Sequence, residues 1–177
     1  MKKLKFIIVL ALLMAPILSN AQNFDKYAEM NDVTSMLITS EMFKLLTEID
    51  FDSTDPETQA YVDLIENLKN IQVYSTTDTS IGAKMAADVK TYLGNSSMNK
   101  LMSFKDDGKS VDFYSKPGKS SGYVSELLMF MKGKENGEPQ AIIMRITGNV
   151  DLKQISKLAE DLEVPGAKEL EKIEEQK

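Results

Sequence analysis

Ser97-Met98-Asn99-Lys100 has the spacing S-x-x-K, in which a lysine amine one helical turn from a serine hydroxyl takes its proton and makes it a nucleophile. That arrangement needs a buried helix start. Here the tetrapeptide runs into a predicted strand, and neither S-D-N nor K-T-G occurs in the chain. Asp50, Asp52, Asp55 and Glu57 form an acidic loop with oxygen ligands suited to calcium. The EF-hand pattern, however, wants Gly sixth and Glu twelfth, where Asp55 and Tyr61 stand. A solvated loop that caps the following helix is the simpler reading.

Two further features could bind rather than react. In Ser75 to Ser80 (STTDTS), placed between a predicted strand and a predicted helix, the hydroxyls and N–H groups around Thr76, Thr77, Thr79 and Ser80 form a candidate anion site. The same groups can instead satisfy the orphan donors of the helix start. Arg145 is the only arginine in the chain, and its planar fork could grip a carboxylate. The absences restrict the chemistry more sharply. The chain has no histidine and no cysteine, which removes Ser-His-Asp and Cys-His catalysis, His- or Cys-ligated metals and disulfides. No catalytic, cofactor-binding or metal-ligating residue is assigned, and no cofactor is implied.

The elements that would position these residues follow from periodicity. Val33 to Thr39 reads as a strand, and Ser40 caps a helix whose core face is expected to be Met42, Leu45, Leu46 and Ile49. Pro56 opens a second helix with Tyr61, Leu64, Ile65 and Leu68 inward. Ile71 to Ser75 is a second strand. Ile81, Met85, Val89 and Leu93 line a third helix that ends at Gly94. The first two strands are expected to be parallel, joined by a right-handed helical crossover.

From Met98 the pattern changes to strands joined by tight turns. Asp107-Gly108 and Asn136-Gly137 are type I′ turn pairs, and as two-residue turns they fix the register. The first sets Phe104 opposite Val111 and Met102 opposite Phe113; the second sets Met131 opposite Ile142, Met129 opposite Met144 and Leu127 opposite Ile146. Arg145 then lies diagonally across from Glu126 on the other face, so a cross-strand ion pair is its default use. That other face also carries Leu128, Phe130 and Ile143. Together with Arg145 they form a candidate contact surface, to be covered either by helices or by a partner. Gly148-Asn149 is expected to break the last strand, with Asp151 capping a helix through Leu152, Ile155, Leu158, Ala159 and Leu162. A carboxylate at that helix start disfavours a phosphate there.

The ends of the chain bear on location. Lys2, Lys3 and Lys5 precede an apolar run from Phe6 to Leu18, and Ser19-Asn20-Ala21 supplies the small residues of a cleavage site. Residues 1 to 21 read as a secretory signal peptide. Gln22 rather than Cys follows the cut, so a lipid anchor has no thiol to attach to. Losing three lysines with the leader takes the net charge from −6 to −9, which disfavours nucleic acid. The mature chain is expected to be periplasmic or extracellular, not lipidated, with no membrane span.

"GKSVDFYSKPGKSSGYVSELLMFM", then "IIMRITGNVDLKQISKL", together with "SEMFKLL" nearer the start, resemble a family of small exported bacterial proteins, the domain of unknown function 4252. The resemblance implies an α+β domain behind a signal peptide. Some relatives are encoded beside sigma and anti-sigma factors, which points to stress or surface signalling. It implies no catalytic residue.

The expected architecture is therefore α+β and two-layer: a mixed sheet of about six strands with a C-terminal antiparallel meander, packed against three or four helices. Residues 22–165 form one domain and 166–177 a charged tail. The expected function is non-enzymatic binding of an envelope protein or small ligand, with a homodimer among the candidate assemblies. The alternative is an envelope enzyme using Asp, Glu, Ser or Lys.

Overall fold

Strands that alternate apolar side chains on both faces cannot leave either face in water, and the fold is organised by that requirement. The computed structural model describes residues 24–47, 56–106, 108–120, 122–135 and 137–151. A 3-10 helix, Phe24–Glu29, leads into β1 (Thr34–Thr39), α1 (Ser40–Thr47), α2 (Pro56–Asn67), β2 (Leu68–Thr76) and α3 (Thr79–Asn95). The meander β3 (Asn99–Asp106), β4 (Lys109–Pro117), β5 (Tyr123–Glu135) and β6 (Glu138–Asp151) completes the described chain. The six strands form one open sheet in the order β1-β2-β6-β5-β4-β3.

The register matches the expectation from the turns. Phe104 faces Val111 and Met102 faces Phe113. Met131, Met129 and Leu127 face Ile142, Met144 and Ile146. Gly108 (φ 78°) and Gly137 (φ 86°) hold the left-handed conformation that these tight turns require.

The parallel pairing expected of β1 and β2 is wrong. They are antiparallel, from Thr34 opposite Ser75 to Thr39 opposite Asn70. One helix between two strands returns the chain to its starting end and gives a parallel pair; two successive helical passes send it back again. Here α1 and α2 pack together and contribute both passes. Every strand pair of the sheet is therefore antiparallel.

The helices also lie on both faces, so the layers number three rather than two. On one face Phe43 of α1 and Leu64 and Ile65 of α2 join Ile71, Val73, Met129 and Met144. On the other, Phe24 and Tyr27 of the 3-10 helix and Met85 and Val89 of α3 join Tyr74, Leu128 and Ile143. The expected inward face of α1 is rotated. Phe43 is fully buried, whereas Met42 is 49% and Leu45 is 58% exposed. An eight-residue helix is held by whichever side chain best fills the gap beneath it, and a phenyl ring outweighs a methionine there. Ile49 and the acidic loop before Pro56 lie outside the described residues, as do the side chains of Leu46 and Tyr61.

Gly148 does not end the last strand, because β6 continues to Asp151. Its role is close approach. A Cβ at Gly148 would sit 2.3 Å from the Asn67 carbonyl oxygen and 2.9 Å from Leu68 Cα, where α2 turns into β2, and its φ is +144°. The helix expected after Asp151 lies outside the described residues. Replacing Gly148 with alanine should cost on the order of 2–4 kcal/mol, read as a lowered urea midpoint with an unchanged slope.

Candidate functional site

The face of β2, β6 and β5 beneath α3 carries a row of polar side chains that alternation places together: Gln72, Arg145 and Glu126. Arg145 Nε donates to Glu126 Oε1 at 2.6 Å, and Nη1 donates to Gln72 Oε1 at 3.3 Å. Above them the Tyr92 hydroxyl of α3 donates to Glu126 at 2.5 Å, with the guanidinium 5.8 Å from the Tyr92 ring centre. Gln72 Nε2 and the Tyr74 hydroxyl both donate to Asp25 of the 3-10 helix, at 2.6 and 3.1 Å. The row thus ties three strands to both elements that cover this face.

Its electrostatics are those of a satisfied structural network. Burial first, then the hydrogen bond to Glu126, pushes the Tyr92 hydroxyl up to about 12. Burial and Asp25 do the same to Tyr74, again to about 12. Burial alone would lower the pKa of Arg145, but the Glu126 ion pair outweighs it and raises it. A second latch lies beside the row, where Asp88 of α3 accepts from the Tyr27 hydroxyl and from Lys26, both at 2.5 Å. Burial pushes the Asp88 carboxyl up, and these two donors outweigh it, holding the group below the ordinary carboxylate range.

The candidate contact surface is not a surface in the folded chain. Leu128 and Ile143 are completely buried under the chain's own helices and Phe130 is partly so, because α3 and the 3-10 helix supply the second layer. Arg145 is committed to Glu126, Gln72 and Tyr92. The cross-strand ion pair is thus present, with Glu126 only 7% exposed.

The candidate anion site is partly assembled. Thr76, Thr77 and Thr79 line a cavity of about 290 Å³ with Asp78, Lys132 and Gln140, and Ser80 is outside its lining. Thr76 and the first N–H groups of the turn are already engaged. The Thr76 hydroxyl donates to the Asp32 carbonyl at 2.6 Å and accepts from the Asp78 N–H at 3.1 Å. The Asp78 carboxylate caps α3 by accepting from the Ile81 N–H at 2.8 Å, which sets a negative charge where the anion would lie. In the S-x-x-K stretch, Ser97 precedes β3 and Lys100 lies within it, pairing with Asp112 at 2.8 Å, so no helix start joins them. Among the described residues no three His, Cys, Asp or Glu side chains converge as metal ligands.

What sequence spacing did not reveal is the β1 edge. Leu37 is 61% exposed on the face that carries Gln72, and Met42 and Leu45 of α1, which packs on the opposite face, are about half exposed. Its signal was available in retrospect: β1 reads TSMLIT, without a charge, a proline or a glycine.

A family model described as Domain of unknown function (DUF4252) matches residues 27–158, more than half of the chain. The chain belongs to this family. The DUF4252 match begins at Tyr27, whose ring packs under the sheet, and runs through all six strands. No curated protein and no solved structure gives a significant match.

The ion-pair row generates a direct test. Arg145→Met should lower stability by about 2–3 kcal/mol, below the range for a fully buried pair because the guanidinium is partly exposed and Tyr92 still donates to Glu126. Adding Glu126→Gln should recover part of that loss, and a double-mutant cycle in urea measures the coupling.

Proposed function

We propose that this chain is an exported, non-enzymatic protein that binds a protein partner in the bacterial envelope, through the β1 edge and the adjoining surface of α1. The observation that carries this reading is the exposure of Leu37 on an edge strand that bears no charge, with Met42 and Leu45 exposed on the helix that packs against that strand. Water-exposed apolar side chains next to open backbone donors and acceptors suit a protein contact better than a small polar ligand. The leader-like residues 1 to 21 support export, and the resemblance to relatives encoded beside sigma and anti-sigma factors supports the setting. A small ligand is the second reading, favoured by Gln140, whose side-chain oxygen is buried in the wall of the Thr76 cavity without a hydrogen-bond partner.

A photoreactive residue placed at Leu45 in living cells, with one at Leu101 on the opposite edge as control, tests the first reading. Covalent adducts should form from Leu45 in the envelope fraction, on chains whose own N-terminus reads Gln22. Equal labelling from both positions, or none from Leu45, would contradict it.

A further inference from the structure

The two edges of this sheet are built differently. β3 carries Lys100, Lys105 and Asp106, and its pairing with β4 is irregular between Lys100 and Met102. Charges and bulges of this kind blunt an edge against strand addition. β1 has none of them. Its six residues, TSMLIT, pair with β2 in unbroken register, which presents a regular outer edge with no strand partner among the described residues.

Facing residues of an antiparallel pair must point to the same side of the sheet. Two copies of β1 related by a two-fold axis through the sheet therefore meet only where the paired residue numbers sum to an even value. Centred on Leu37, that rule sets Leu37 against Leu37, Met36 against Ile38, and Ser35 against Thr39. Apolar meets apolar and hydroxyl meets hydroxyl on both faces. Centring on Met36 instead would put Leu37 against Ser35 and Ile38 against Thr34, which wastes the apolar surface. Both copies of α1, packed against β1 and β2, fall on the same side of this joint, the side opposite the paired Leu37 side chains.

We propose that two copies of this chain join β1 to β1, antiparallel and centred on Leu37, so that one sheet runs through both. The inference rests on reading the β1 edge as the contact surface and names its occupant as a second copy. Self-complementarity selects that occupant, since a foreign strand would have no reason to match this strand's own sequence on both faces.

The test uses the protein expressed from its full sequence and purified as the cell produces it. Light scattering from about 1 µM to about 1 mM, the span in which small interfaces associate, should show the mass rising about twofold. Leu37→Lys and Leu37→Glu should each stay at the monomer mass with native circular dichroism, because like charges then face each other across the joint. Mixed in equal amounts, they should return to the doubled mass. A second arm exploits the absence of cysteine: Leu37→Cys should form a disulfide-linked pair under mild oxidation, and Leu101→Cys on the other edge should not. A wild-type protein that stays monomeric throughout overturns the proposal. So does a Leu37→Lys variant that keeps the doubled mass, a mixture that fails to recover it, or equal cross-linking at both cysteines. Adducts from Leu45 to another protein, with a monomeric wild type, would overturn self-pairing and leave the binding-protein reading standing.

Discussion

A sheet that is apolar on both sides must be covered twice, and the chain has to supply two layers of cover. The helical connection between β1 and β2 covers one face, and the 3-10 helix with α3 covers the other. The helices that directly precede and follow β2 lie in different layers, so β2 is gripped from both sides. That grip moves the functional question outward. Side chains that alternation sends to the second face, Leu128 and Ile143 above all, are used up inside the fold. Among the described residues, three of the four exposed large apolar side chains lie at β1 and α1, and the fourth, Leu101, lies on the opposite edge strand β3.

The second layer is held by polar groups as much as by apolar ones. The row from Asp25 through Gln72 and Arg145 to Glu126 and Tyr92 joins a short 3-10 helix and a longer α-helix to the sheet. A half-satisfied network there would cost more than an apolar core, so its members constrain one another. Arg145 illustrates the consequence. A lone arginine suggests a ligand grip when read in isolation, yet with two acceptors and an aromatic face beside it the guanidinium orders the protein's own elements.

The meander was legible because its information is local. Asp107-Gly108 and Asn136-Gly137 set the register within two residues, and period-two alternation assigned every face, including the diagonal between Arg145 and Glu126. The first half was less legible because its outcome depends on counting helical passes rather than on any residue pattern, which is why the β1–β2 orientation was reversed. Phe43 defeated the spacing rule because a helix of two turns samples its period too briefly to fix a face. Gly148 looked like a break, since nothing in the sequence shows that the backbone of Asn67 and Leu68 passes beside it. Of the candidate residues, the buried pair Arg145 and Glu126 followed from pairing logic. Leu37 was missed because an edge is a property of the whole sheet order.

That order leaves two edges, one guarded by charge and irregular pairing and one bare, and the difference underlies the functional reading. Backbone amides report an edge directly, because those pointing away from β2 exchange with solvent unless another strand takes them. Hydrogen exchange over residues 34 to 39 across a range of protein concentrations therefore tests the central claim most directly. Protection in β1 should rise with concentration while β3 stays unchanged. Exchange in β1 that is independent of concentration, and as fast as in β3, would contradict an occupied β1 edge.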